Sequence, residues 1–131
     1  MLSDITIEKI CTVLKKDPRY AAAYLFGSAA NGELRPDSDI DIAVLPSPGV
    51  FLIQMDLLKL SSLLEENCGR EVDIGILSSK NLIYTREAIL KGKCIYEIDD
   101  IYCRLFIATV LGLYAQLKIE RKEVEDVYIS G

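Results

Sequence analysis

Apolar positions along the chain switch between two periods, and the switches outline the elements. Ile7, Ile10, Cys11 and Leu14 follow the i, i+3, i+4, i+7 spacing of one helix face, so residues 3–16 read as a helix. Ser3 or Asp4 can cap its start, and Asp17-Pro18 stops it. The run YAAAYLF reads as a strand that ends at Gly27. Residues 28–33 open a short helix, and Arg35-Pro36-Asp37 makes a turn. Residues 39–45, DIDIAVL, alternate first and then become apolar, as in a strand wet at its start and buried further on. After an exposed loop at residues 46–49, a helix is predicted over 51–67, with Ile53, Leu57, Leu60 and Leu64 on one face and Gly69 placed to end it. Residues 71–77, EVDIGIL, form a third strand. Ser79 is placed to cap a helix that reaches Lys91 and ends at Gly92. KCIYE is a fourth strand, and Asp99 or Asp100 can cap a last helix reaching about Glu120. The charged tail, residues 121–131, is expected to be loosely held.

This alternation of helix and strand predicts one domain over residues 1–131, of α/β (α+β) class, with a sheet of about four strands packed by helices. The order alone leaves the sheet parallel, mixed or antiparallel. No repeat, low-complexity tract or linker divides the chain.

Composition narrows the chemistry. There is no histidine, which removes Ser-His-Asp and Cys-His catalysis and histidine metal sites together. Any metal must be held by oxygen, which suits Mg²⁺ or Mn²⁺. The formal net charge of −5 shows none of the basic excess of a protein that grips long nucleic acid. The four cysteines lack C-x-x-C spacing, and three sit in apolar segments, so buried free thiols in a reducing cytoplasm are expected. No signal peptide is read at the start. The most apolar run, residues 105–117, is too short to span a bilayer, so no membrane is expected.

The informative segment is GSAANGELRPDSDIDIAV, residues 27–44. A strand ends in Gly27-Ser28 with a helix start behind it. Glycine lets the backbone approach a ligand, free amides at a helix start favour phosphate, and Ser28 adds a hydroxyl. Ten residues later come Asp39-Ile40-Asp41. In a strand, i and i+2 share a side, so Asp39 and Asp41 present two carboxylates while Ile40 and Ile42 face the core. Such a pair repels itself unless a cation sits between. Asp73 lies in the next strand. If that strand lies beside the first, Asp73 joins the pair, completes a metal cage and helps deprotonate an attacking hydroxyl, as two-metal sites do for in-line displacement. A lone Gly-Ser or D-x-D is ordinarily a solvated strand end; the joint pattern is what carries the information.

This pattern resembles the signature of the polymerase-beta-type nucleotidyltransferase superfamily, and more narrowly the minimal nucleotidyltransferases of bacteria and archaea, which include antitoxins paired with HEPN-type ribonuclease toxins. The resemblance covers nearly the whole chain. It implies a mixed sheet packed with helices, Gly27 and Ser28 holding phosphate, Asp39 and Asp41 binding metal, and Asp73 as third acid. It also implies ATP as substrate and Mg²⁺ as two ions. The chain departs at Asn31, where many relatives carry arginine. Arg35 is near enough in sequence to take over that contact, and the alternative for it is a plain surface residue.

Larger relatives carry added domains that hold the acceptor, and this chain leaves no room for one. The acceptor is therefore expected to be a partner protein, a tyrosine of a HEPN-type toxin that the modification silences. Two other classes stay open: transfer to a small cationic molecule such as an aminoglycoside, and a binding module without turnover. The last helix is apolar almost all round over residues 105–117. Such a helix is buried, self-associates or meets a partner.

Overall fold

In this computed structural model, residues 3–27 and 39–130 are described, the side chains of 128–130 excepted. The elements are α1 (Asp4–Lys15), β1 (Tyr20–Phe26), β2 (Ile40–Pro46), α2 (Gln54–Cys68), β3 (Val72–Ile76), α3 (Leu82–Lys91), β4 (Lys93–Glu97) and α4 (Asp100–Ser130). The short helix and turn expected over 28–38 lie outside the described residues.

The four strands form one sheet in the order β3-β2-β1-β4. β1 runs antiparallel to both β2 and β4, and β2 runs parallel to β3, so the sheet is mixed. The parallel pair is joined through α2, the helical crossover that parallel neighbours require.

Strand alternation divides the core in two. Ile40, Ile42 and Val44 of β2 pack with Ile10 and Leu14 of α1 and with Leu57, Leu60 and Leu64 of α2. Ala43 and Leu45 face the opposite side, with Ala88 of α3 and Cys103 of α4. Helices thus cover both faces. Leu64 and Ile42 are completely buried, and each stabilises the fold by roughly 1.5–3 kcal/mol.

Several local expectations shift. Ser3, not Asp4, caps α1, accepting from the Thr6 N–H at 3.3 Å. α2 begins three residues later than expected. Ile53 has no oxygen to cap it, and the Asp56 carboxylate instead accepts the Ile53 N–H at 2.9 Å. Ile53, expected on the core face, precedes the helix and is exposed, as is Phe51. α3 starts after Asn81 rather than Ser79. Thr85 ties its first turn down, donating to the Ser78 carbonyl at 2.9 Å and accepting the Ser78 N–H at 3.0 Å. Among the cysteines only Cys103 is fully buried, and Cys94, on edge strand β4, is exposed.

The largest departure is α4, which continues as helix to Ser130 instead of stopping near Glu120. Cys103 and Val110 are buried, and the Tyr102 hydroxyl donates to the Pro46 carbonyl at 3.0 Å. Leu105, Ile119, Val124 and Val127 are exposed. By length and composition alone, residues 100–127 are long and apolar enough to cross a membrane, more than the shorter run considered from sequence. Cys103, however, belongs to the core that packs against the sheet.

Candidate active site

The register of the sheet builds the site. Phe26, the last residue of β1, pairs with Asp41, and Asp41 pairs with Asp73 across the parallel ladder. Three adjacent strands therefore place Phe26, Asp41 and Asp73 in one row. The row lies on the face covered by α3 and α4, since Ile40 and Ile42 occupy the other. Asp39 stands just before β2, two residues from Asp41, and is exposed. Asp41 and Asp73 are thus brought side by side, with Asp39 at the rim. Among the described residues, no three acidic or thiol side chains converge closely enough to form a complete metal cage.

Gly27 ends β1 with φ of +70°, a left-handed turn that favours glycine. It also has a spatial role the sequence did not reveal. A Cβ there would lie 2.8 Å from Asp41 Oδ2, so the missing side chain makes room for the carboxylate. Ser28, Asn31 and Arg35 lie outside the described residues.

A cleft of about 190 Å³ opens over the row, lined by Phe26, Asp41, Asp73, Ile74, Gly75 and Tyr84. Burial, and then the charges of Asp73 and Asp39, push the Asp41 carboxyl above the usual carboxylate range. Burial pushes the Tyr84 hydroxyl up to about 12, with Asp41 and Asp73 adding to the shift. The Tyr84 ring meets Phe26 edge-on, centroids 5.6 Å apart. A Cβ on Gly75 would collide with the Tyr84 hydroxyl. Phe26, Gly75 and Tyr84 were not identified from the sequence. No spacing links a tyrosine in α3 to a glycine in β3; only the packing of the helix over the sheet does.

Two adjacent carboxylates, one of them poorly solvated and both repelling, form a hard oxygen donor set. That chemistry fits a divalent cation such as Mg²⁺, with Asp41 and Asp73 as ligands and Asp39 within the same segment.

A family model described as polymerase beta, nucleotidyltransferase, matches residues 8–101, which contain the entire row of acids. The chain belongs to the polymerase-beta nucleotidyltransferase family. This nucleotidyltransferase is 30% identical over 130 residues to the protein adenylyltransferase MntA of Shewanella oneidensis, covering 95% of this chain and 88% of that protein. A chain in the crystal structure of a toxin–antitoxin with AMP-PNP superposes with a TM-score of 0.77 at 27% identity, covering 94% of this chain and 98% of the other. A chain from the complex of tri-AMPylated Shewanella oneidensis HEPN toxin with MNT antitoxin gives a TM-score of 0.75 at 26% identity, covering 98% and 99%. The mixed sheet anticipated from the resemblance is the one observed.

Proposed function

We propose that this nucleotidyltransferase transfers AMP from ATP to a tyrosine hydroxyl of a HEPN-type toxin, and so acts as the antitoxin of the pair. The observation that carries the reading is the likeness along nearly the full chain to a protein adenylyltransferase, with paired acids at the cleft. Asp39, Asp41 and Asp73 would hold Mg²⁺, which when bound supplies charge neutralisation for the triphosphate. Gly27 lets the backbone approach the phosphates, with Ser28 and Arg35 as further contacts. Asp73 takes the proton of the incoming tyrosine. The tyrosine oxygen bonds to the α-phosphorus of ATP, the bond from that phosphorus to the bridging oxygen breaks, and pyrophosphate leaves. The adenylyl group places a bulky anion on the toxin, where it repels RNA phosphate. The setting is the cytoplasm, in which the free cysteines stay reduced.

The test is to incubate the protein with ATP, Mg²⁺ and its HEPN partner and weigh the partner by mass spectrometry. It should gain one or more adenylyl groups, and the Asp39→Asn/Asp41→Asn double variant should add none. A partner left unmodified, yet still neutralised by the double variant, would overturn catalysis in favour of simple binding.

A further inference from the structure

β3 is an edge strand, and one end of its outer edge is already closed. The ladder to β2 includes the Ile40 N–H bonded to the Glu71 carbonyl at 2.8 Å and the Leu77 N–H bonded to the Val44 carbonyl at 2.9 Å. In a parallel ladder alternate residues serve the neighbour, so Asp73 and Gly75 bond to β2, while Val72, Ile74 and Ile76 turn their amides and carbonyls outward. At Val72 both groups are occupied by α2. Glu65 accepts its N–H at 3.0 Å, and the Ser61 hydroxyl donates to its carbonyl at 2.6 Å. At Ile74 and Ile76 no such partner is present among the described residues.

The open part of the edge lies between two concavities. On one side is the catalytic cleft. On the other is an open groove of about 630 Å³, lined in part by Phe51, Leu57, Ile76 and Lys80. Ile74 and Gly75 line both. Phe51 is 84% exposed at the groove, far more than core packing would leave it.

We propose that the acceptor protein is engaged by strand addition: an extended, tyrosine-bearing segment lies along the free edge of β3, with an apolar side chain in the Phe51 groove. This rests on the adenylyl-transfer reading above. Main-chain bonds to Ile74 and Ile76 supply affinity that depends little on sequence, and the groove supplies selectivity. An added strand sits about 4.8 Å from β3, and every second side chain of it falls on the face that carries Asp73. A tyrosine at such a position arrives beside the residue that takes its proton. The anchoring apolar residue then falls a few positions away along the same segment.

Amide hydrogen exchange and two variants test this. Exchange at Ile74 and Ile76 should slow when the acceptor protein binds. Phe51→Glu, at an exposed position, and Ile76→Pro, which removes an outward N–H together with a partly buried side chain, should raise KM for the protein acceptor about tenfold or more. AMP-PNP affinity by calorimetry should stay unchanged in both. If Ile76→Pro fails to fold, Phe51→Glu and the exchange data decide. Wild-type protein that adds nothing to the acceptor overturns the transfer reading itself. Normal transfer by Phe51→Glu, with Ile74 and Ile76 exchanging freely in the complex, overturns strand addition alone. So does protection of these amides in the isolated protein through a dimer, which would make a second copy the occupant.

Discussion

Gly27→Ala separates backbone strain from site geometry. The residue has φ of +70°, where an L side chain costs roughly 1–2 kcal/mol. For 131 residues, 1 kcal/mol corresponds to about 4 °C of Tm, so strain alone should lower Tm by about 4–8 °C. The new Cβ would also lie 2.8 Å from Asp41 Oδ2, closer than real Cβ contacts come. Asp41 is a short, rotatable side chain, so the clash resolves by turning its carboxylate away and adds little to the loss of stability. Catalysis suffers instead. A displacement of about 1 Å in a positioned group costs about 100-fold, and kcat/KM for transfer should fall by that order. Gly69 is the matched control, with the same φ of +70° and nothing within 4 Å of an added Cβ. Gly69→Ala should melt lower by the same amount and transfer normally. Calorimetric melting and transfer of labelled AMP read the two effects. Full transfer by Gly27→Ala, or an equal loss of transfer in both variants, would refute the reasoning.

Three further outcomes follow from the same geometry. Asp41→Asn should raise Tm in EDTA, because it removes a poorly solvated charge beside Asp73 and Asp39, while abolishing transfer; a clearly lower Tm would make Asp41 structural. Asp73→Asn should lower kcat with little change in ATP affinity by calorimetry, and loss of ATP binding would make it chiefly a metal ligand. Arg19 donates to Asp17 at 2.8 Å and to Asp56 at 2.9 Å. The Arg19 hydrogen bond lowers the Asp17 pKa, and the Ile53 amide followed by Arg19 lowers that of Asp56. Depressed carboxylates stabilise the fold above their unfolded pKa, near 4, and lose that contribution as pH falls through the folded values. Acid melts of Arg19→Met should therefore start lower and fall less steeply below about pH 4 than wild type; parallel curves would show that the bridge contributes nothing.

Hydrophobic period alone revealed the strands and helices of the described residues, because a strand buried on one face and a helix buried on one stripe must repeat every two or about 3.6 residues. The same periodicity placed Asp41 opposite Ile40 and Ile42, since the pleat leaves no other arrangement once both isoleucines are buried, while Asp39 stands just before the strand. The site residues Ser28 and Arg35 were proposed from sequence and lie outside the described residues. Local pattern failed where competing groups decide an end. Ile53 looked helical by spacing, but Asp56 set the start of α2, and α4 ran on through the charged stretch after Glu120 to Ser130. Strand order, direction and register belonged to the tertiary structure. Whether Asp73 stands beside Asp41 depends on a parallel pairing of segments some thirty residues apart, and no local spacing encodes it. Tyr84 over Gly75, and the open edge at Ile74 and Ile76, likewise exist only after α3 and α2 pack on the sheet, since each is a relation between surfaces that the chain brings together by folding.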